Sequence, residues 1–391
     1  MKKTGSDSTG QRIARARRRR GLSQAALAGL AGRSESWLSQ VERGLRNVDS
    51  YSVLHRLASA LRVPVAELTG SEGARREDRG PAGPIERAMM GYSVASEPAE
   101  GRDLRWLHAA AAAAYADYQA TNYLLCAERV AELVRHAESA VPDRADAWQV
   151  RAVVYDTAAA VLSRTGERLL AWLAADRAMN AAAQSGDPLR VAAAAWRMSY
   201  VLTGRGYPGE GLDLAVAALE AGAGPRSPQQ LSIRGALHLA AATAAAASYD
   251  PAATRAHLAE ATCAAGQLGS DANHLGTAFG PVNVTIHSMS CALRLGDART
   301  AIAAGEAVDS RRLPSGMTGR RTQLHLDLAC GYAMRRQDAA AVNMLRAAEK
   351  VSPQLVRYDP ATRELLIVLL RREHRASTPE LRPLARRAGV I

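Results

Sequence analysis

Aromatic residues make up only 4% of this 391-residue chain, and Phe279 is its single phenylalanine. Because strands are enriched in aromatic and β-branched side chains, this shortage argues against a large β-sheet. Hydrophobic residues still account for 48% of the chain, and much of that fraction is alanine. Alanine is the best helix former, so the composition predicts an all-α protein, and the length predicts two or three domains.

Cysteines and long apolar runs are also few. No cysteine lies at a metal-ligand spacing from another, and we interpret all four as reduced core residues of a cytoplasmic protein. They are Cys126, Cys263, Cys291 and Cys330. Lys2 and Lys3 are not followed by an apolar segment, so no signal peptide is expected. No run has the length and hydrophobicity of a membrane span, so we expect no membrane partner.

Motifs of common enzymes are missing as well. The chain contains no Walker A string, no HExxH and no GxSxG. Residues 204–209 spell GxGxxG, but no strand precedes them and they fall at a turn between helices, so a dinucleotide site is not expected. The nine histidines are scattered along the chain and form no recognised metal-binding motif with carboxylates or cysteines. We therefore expect no enzymatic activity, no metal and no cofactor.

Positive charge is concentrated near the N-terminus. Of the formal net charge of +12, residues 1–80 contribute +8, with 16 Lys and Arg against 8 Asp and Glu. A basic terminal domain on a nearly neutral remainder favours a polyanionic partner such as nucleic acid. A solvated basic face is the alternative for an arginine run taken alone.

Residues 10–70 carry the start and stop signals of five short helices. These are predicted over residues 11–20, 24–30, 35–43 and 51–61, and from Pro64 through Leu68. Gly21 is suited to end the first helix, and the hydroxyls of Ser23 and Ser34 can cap the second and third. Leu38 and Val41 are three residues apart and should face inward, which leaves the polar residues of the third helix on its other side.

Four strings in this region carry a family resemblance. They are LSQxxLA at residues 22–28, AGxS at 31–34, WLSQVERG at 37–44 and LxxLAxxLxV at 54–63. They resemble the five-helix Cro/cI-type (XRE) helix-turn-helix domain, and the resemblance covers residues 10–70. Arg33 departs from the pattern, because the family usually has a core aliphatic residue at that position. The resemblance implies that the third helix reads the major groove of double-stranded DNA.

The resemblance also implies a set of DNA-binding residues. Gln24 matches a phosphate-contacting glutamine, and Glu35, Ser36 and Gln40 match base-edge readers. Glutamine can pair with adenine, and glutamate can accept from cytosine N4. The full set is Arg12, Arg18, Arg19, Gln24, Arg33, Ser34, Glu35, Ser36, Trp37, Ser39, Gln40, Arg43 and Arg46. The alternatives are that Glu35 and Gln40 are merely solvated and that Trp37 belongs to the core.

The remainder of the chain divides into a linker and a helical body. Residues 71–101 are rich in Gly and Pro and are predicted to be a linker, with a short helix at residues 85–90. In residues 102–391, short turns at Gly166, Gly209, Asp250, Gly296 and Gln337 each precede a small-residue helix, and the starts are 41 to 46 residues apart. Longer helices, predicted over residues 146–163, 189–202, 231–248, 275–295 and 322–335, precede these turns.

These paired helices resemble tetratricopeptide (TPR) repeats, although the unit is longer than the usual 34 residues. A stacked array of this kind is an α-solenoid, and a non-repeating helical bundle is the alternative. Solenoids bind partners on the concave face, which the longer helices would line. Our candidates for effector binding on that face are Tyr155, Trp196, Tyr200, His238, His274, Phe279, Asn283, His287, His325 and Tyr332. Gly280-Pro281 should kink the helix over residues 275–295, which forms either a pocket wall or a packing irregularity.

The sequence therefore predicts a sequence-specific DNA-binding transcriptional regulator. The TPR-like body is expected to form a homodimer and to bind a peptide, a small molecule or a small protein as effector. Such an arrangement resembles peptide-sensing regulators of the Rgg/PlcR type, and a dimer with two DNA-binding domains would prefer an inverted repeat. The alternative is a protein-interaction scaffold or adaptor with a vestigial helix-turn-helix domain.

Overall fold

The computed structural model describes residues 8–48, 51–61, 63, 68, 80–91, 103–139, 144–222 and 227–391. All regular secondary structure in these residues is helical, which confirms the all-α prediction. The chain divides into two compact units, residues 1–83 and residues 84–391, which we call the head and the body. No helix among the described residues is both long enough and apolar enough to cross a membrane.

The head is built from short capped helices, α1 (Thr9–Arg19), α2 (Gln24–Leu30), α3 (Glu35–Glu42) and α4 (Tyr51–Leu61). The Ser23 hydroxyl accepts from Ala26 N at 3.0 Å, and the Ser34 hydroxyl accepts from Trp37 N at 3.2 Å, so both predicted caps are present. A core that includes Ile13, Leu27 and Leu57 lies between the helices. Most of the fifth helix predicted from Pro64 lies outside the described residues.

The body consists of antiparallel helix pairs in sequence order. Its helices are α5 (Ala82–Met89), α6 (Leu104–Gln119), α7 (Tyr123–Ser139), α8 (Ala145–Arg164), α9 (Arg168–Ser185), α10 (Pro188–Gly204), α11 (Pro208–Ala221), α12 (Pro228–Ala247), α13 (Pro251–Leu268), α14 (Pro281–Arg294), α15 (Ala298–Glu306), α16 (Thr318–Met334), α17 (Asp338–Val351), α18 (Pro353–Tyr358), α19 (Pro360–Arg371) and α20 (Leu381–Arg387). Consecutive pairs pack side by side, so the body is a TPR-like α-solenoid. Helix α5 lies within the segment predicted to be a linker, and Arg177 Nη1 of α9 donates to its Met89 carbonyl at 3.2 Å.

Proline and acidic caps define several helix starts. Pro188, Pro251 and Pro360 each occupy the first turn of a helix, and the preceding aspartate accepts a backbone N–H of that turn. Proline fits there because its missing N–H would have no partner inside the helix. The Asp-Pro pairs that predicted these helix boundaries therefore mark helix starts, and each aspartate caps its helix as expected.

The predicted helix over residues 275–295 is wrong in its first turns. Its N-terminal part is a loop with a short 3₁₀ turn at His274–Gly276, and α14 begins only at Pro281. Asp271 caps the start of α14, because its carboxylate accepts from the backbone N–H groups of Val282 and Asn283 at 3.1 and 3.3 Å. Pro281 thus begins a helix instead of kinking one.

The cysteine interpretation needs one correction. All four cysteines are free, Cys126 and Cys291 are buried and Cys330 is half-buried, but Cys263 is exposed. Cys263 lies on α13, whose buried residues are Thr254, Ala261, Ala264 and Ala265, and the thiol falls on another face of that helix.

The first and last parts of the solenoid contact each other. Helix α6 packs against α16. The Gln354 side chain on α18 accepts from Leu124 N on α7 at 3.0 Å, and Arg164 Nη1 on α8 donates to Gln323 Oε1 on α16 at 3.1 Å. The longer helices therefore line a partly enclosed space.

Candidate nucleic-acid interface and body cavity

Helix α3 presents a polar face on the head. Leu38 and Val41 are buried against the head core, as predicted. Glu35 and Ser36 are exposed, whereas Ser39 and Gln40 are half-buried. All four lie on the outward side of one capped helix, which is the arrangement that a major-groove recognition helix requires.

The other predicted DNA-binding residues of the head also have accessible surface. Arg18, Arg19, Arg33, Ser34, Arg43 and Arg46 are exposed, while Arg12, Gln24 and Trp37 are half-buried. Trp37 packs partly on the core, and its ring centre lies 5.6 Å from the guanidinium carbon of Arg33. Arg33, Ser34, Trp37 and Arg46 line one shallow depression, so the departure at Arg33 places an additional cation on this surface.

Arg17 and Gln24 both bind Glu42. Arg17 Nε and Nη2 donate to the Glu42 carboxylate at 2.7 and 2.8 Å, and Gln24 Nε2 donates to Glu42 Oε2 at 2.7 Å. Burial would raise the pKa of Glu42, but the hydrogen bonds from Arg17 and Gln24 outweigh burial and lower it. The Arg17–Glu42 ion pair therefore links α1 to α3. The predicted phosphate contact of Gln24 would have to be made by a side chain that already serves this network.

The body encloses a cavity of about 520 Å³ between the longer helices. Three of the ten predicted effector-binding residues line it, namely Trp196, Tyr200 and His287. The Trp196 and Tyr200 ring centres are 6.0 Å apart, and those of Tyr200 and His287 are 6.1 Å apart, so the three rings form a continuous wall. A space of this size is in the range found for small-molecule sites.

The other predicted effector-binding residues do not line this cavity. The sequence pattern placed these residues on the longer helices or in the loop before α14. In the structure, they are covered by other helices or lie on a side that does not face the cavity. They are Tyr155, His238, His274, Phe279, Asn283, His325 and Tyr332. Tyr155 donates to Glu138, His238 Nδ1 lies 3.2 Å from His257 Nδ1, and Tyr332 donates to Glu306 at 2.5 Å.

Arginines of the longer helices line the cavity, and the sequence reasoning missed them. Arg164, Arg197 and Arg320 come from α8, α10 and α16, together with Tyr115 and Tyr118 of α6. The available signal was an arginine in the middle of an Ala-rich helix, on a face that packs against neighbouring helices. These arginines were missed because nearly all of our candidates on these helices were aromatic residues and histidines.

Arg197 is paired with a carboxylate. It donates to both carboxylate oxygens of Asp156 at 2.9 and 3.2 Å and to the Tyr115 hydroxyl at 3.1 Å. The Tyr115 hydroxyl in turn donates to the Gly276 carbonyl at 2.8 Å. Burial alone would lower the pKa of Arg197, but Asp156 raises it well above its usual value, so this guanidinium stays charged and orients Tyr115.

Two further groups of the cavity have shifted pKa values. Burial raises the pKa of Asp327 to about 6, although Ser290 and Gln323 donate hydrogen bonds to its carboxylate at 2.5 and 2.8 Å. Burial, together with Arg320 and Arg164, lowers the pKa of His287 to about 3, so this imidazole is neutral at pH 7. The positive charge of the cavity thus resides on its arginines.

A second cavity of about 340 Å³ adjoins the first. Tyr115, Gln119, Trp196 and Gly276 line both. Gln119 Nε2 donates to Asn273 Oδ1 at 2.9 Å and to the Gly276 carbonyl at 3.1 Å, which holds the loop before α14 across the boundary between the two spaces. Within the described parts of the chain, no three histidine, cysteine or acidic side chains come together as a metal site would require.

Residues 9–69 match the helix-turn-helix domain family, which confirms that the head contains a helix-turn-helix domain. No curated protein sequence matches the chain. Among solved structures, the chain is similar to the crystal structure of Bacillus thuringiensis PlcR in complex with the peptide PapR7 and DNA. The identity is 15%, the match covers 86% of this chain and 100% of that chain, and the TM-score is 0.39.

Proposed function

We propose that this protein is a sequence-specific DNA-binding transcriptional regulator whose body binds an effector. One observation carries the proposal: residues 9–69 match a helix-turn-helix domain, and α3 of that domain presents a polar outer face among exposed arginines. Base-edge readers on a recognition helix and cations around it are the two elements that specific DNA binding needs.

The head would read DNA through α3. Glu35, Ser36 and Gln40 would contact base edges in the major groove, with Gln40 best suited to adenine. Arg18, Arg19 and the remaining basic residues would neutralise phosphates and fix the position of the helix without reading sequence. The acidic network at Glu42 lies beneath this surface and holds α1, α2 and α3 together.

The active form would be a homodimer on an inverted repeat. A single recognition helix covers one half-site, and two helices related by two-fold symmetry read half-sites roughly 34–36 Å apart on the same side of the duplex. Effector binding in the body would change DNA affinity only if the effector binds one arrangement of the dimer more tightly than another.

A gel-shift experiment tests the proposal. The probe is the DNA upstream of the gene for this protein, and the competitor is unrelated DNA of equal length. We expect a complex that survives excess competitor, with a footprint of two symmetric half-sites. A protein that binds both DNAs equally, or neither, would instead support the adaptor function, in which the head no longer reads sequence.

A further inference from the structure

Arg320 extends into the body cavity without an acidic partner. Its Nη1 atom lies 3.3 Å from His287 Nε2 and 3.5 Å from Asn283 Oδ1. No carboxylate of the described chain comes within 4.0 Å of its guanidinium group, and the side chain is half-buried. A cation held out of bulk water without a counter-charge is costly, and proteins normally pair it.

None of the neighbouring groups that the structure describes forms an ion pair with Arg320. His287 is neutral, because burial and the nearby arginines hold its pKa at about 3. Asp156 is occupied by Arg197. The carboxylate of Asp327 accepts from Ser290 and Gln323; with a pKa of about 6 it is largely ionised at pH 7, but it acts on Arg320 only from beyond ion-pair distance.

Arg164 adds a second cation to the same space. Its nearest carboxylate, that of Asp359, lies 4.0 Å away and already caps α19 by accepting from Thr362 N at 2.8 Å. Burial and the charge of Arg164 both lower the pKa of Arg320, so the two guanidinium groups are close enough to repel each other. The cavity therefore contains one guanidinium group, that of Arg320, without an ion pair among the described residues, and it lies near that of Arg164, whose ion pair with Asp359 is long.

The rest of the wall suits an apolar or aromatic body. Trp196, Tyr200 and the neutral His287 ring form one side, and Leu326 and Met317 contribute apolar surface. An apolar surface that carries a small number of convergent charged groups is characteristic of a ligand site. Guanidinium groups match the planar oxygens of carboxylates and the oxygens of phosphates.

We propose that the body cavity binds an organic anion, with its acidic group held by Arg320 and Arg164 and its apolar part against Trp196 and Tyr200. This inference rests on the proposed function, since it names the chemical class of the effector. It identifies a carboxylate or phosphate as the group that is recognised.

Isothermal titration calorimetry with three matched probes tests the inference. The probes are naphthalene-1-acetate, the neutral naphthalene-1-acetamide and 1-naphthyl phosphate, each added to the full-length protein. We expect the acetate or the phosphate to bind at least about tenfold more tightly than the amide, because the amide cannot form a charged pair with a guanidinium group. The stronger of the two anions distinguishes a carboxylate effector from a phosphate effector.

Two arginine variants on one helix provide the specificity control. Arg320→Gln should weaken binding of the preferred anion by at least about tenfold and leave the weak binding of the amide unchanged. Arg335→Gln removes the same charge at the exposed end of α16 and should bind as the parent does. Arg320→Lys, which keeps the charge, replaces Arg320→Gln if circular dichroism shows that the glutamine variant is not folded, and it should retain part of the affinity.

Equal binding of amide and anion, no heat with any probe, or unchanged anion binding by Arg320→Gln would each overturn the inference. Gel shifts with the same preparations separate this result from the proposed function. Protein that binds its upstream DNA but no anion contradicts only the organic-anion site. Protein that binds the anion but no DNA contradicts the regulator assignment instead.

Discussion

The ring of Phe279 occupies the space in which residue 235 would place a side chain. A Cβ atom built on Gly235 would lie 2.0 Å from Phe279 Cζ. Phe279 is fully buried and belongs to the core cluster around α12, which also includes Trp196. This contact fixes the loop before α14 on α12, next to the aromatic wall of the cavity.

Substituting Gly235 with alanine should destabilise the body. The new methyl group would clash with the ring of Phe279, and overpacking of this kind costs about 1–3 kcal/mol. Gly266→Ala is a matched control on α13, because no atom lies within 4 Å of the added methyl group. That control should gain up to about 1 kcal/mol from helix propensity. Thermal unfolding of both variants checks the pair, and equal melting temperatures would contradict the packing described for Phe279.

Glu42→Gln should destabilise the head by about 1–3 kcal/mol, because it removes the charged acceptor of the half-buried Arg17. The pKa of Glu42 is lowered in the folded state, so the stabilisation is fully present above about pH 4.3 and is lost as the pH falls through the lowered pKa. Hydrogen–deuterium exchange of α1–α3 peptides measures the effect. Glu35→Gln, at an exposed position of the same helix, should change protection by less than about 1 kcal/mol.

Gln40→Ala should weaken binding to the preferred DNA site by about 1–3 kcal/mol and relax base preference at one position of each half-site. Fluorescence anisotropy with site variants measures both quantities. Gln267→Ala removes an exposed glutamine from α13 of the body and serves as the control. If Gln40→Ala bound every site variant as the parent does, α3 would not be the reading element.

Arg18→Gln combined with Arg19→Gln should weaken binding to all DNA sequences alike. Each lost phosphate contact lowers the slope of log K against log salt by about 0.9, so the double variant should show a slope flatter by up to about 2. Titrations at several salt concentrations measure it. A loss confined to one sequence would assign these arginines to base reading.

Asp327→Asn should remove a pH-dependent cost from the body. The folded pKa of Asp327 is about 6, above its ordinary value of 3.8, so the folded state retains a proton that the unfolded chain releases. The stability of the parent should therefore fall relative to the variant as the pH rises from about 4 to 6, by about 3 kcal/mol in total. Melting temperatures between pH 4 and pH 8 measure this difference, and a constant difference would contradict a buried, protonated carboxyl group.

Local signals predicted most of the fold. Capping serines, aspartate–proline starts and alanine-rich repeats each act within a few residues, so the sequence alone places α2, α3 and most body helices. The start of α14 was missed because Asp271, which caps it, lies ten residues before Pro281 and beyond a loop. A contact of that kind depends on the path of the loop between Asp271 and Pro281, and no local sequence pattern encodes that path.

The cavity was harder to predict than the head. The head follows one family pattern, whereas the cavity is assembled from several helices, including α6, α8, α10, α12, α14, α16 and α19, whose relative rotations depend on packing. Trp196, Tyr200 and His287 were found because large polar side chains on the longer helices are candidates for a concave face. Arg320 and Arg164 were missed, and Phe279, which looked equally suitable, fills a gap above Gly235 instead.

The contact between the first and last parts of the body fixes its length. Open solenoids are stabilised mainly by neighbouring repeats, so they tolerate the gain or loss of a unit and fray from their ends. Here Leu124 with Gln354, and Arg164 with Gln323, join elements that are far apart in the sequence. Duplication or deletion of one helix pair would separate these partners and open the cavity. A change in the number of repeats would therefore abolish the site in the body.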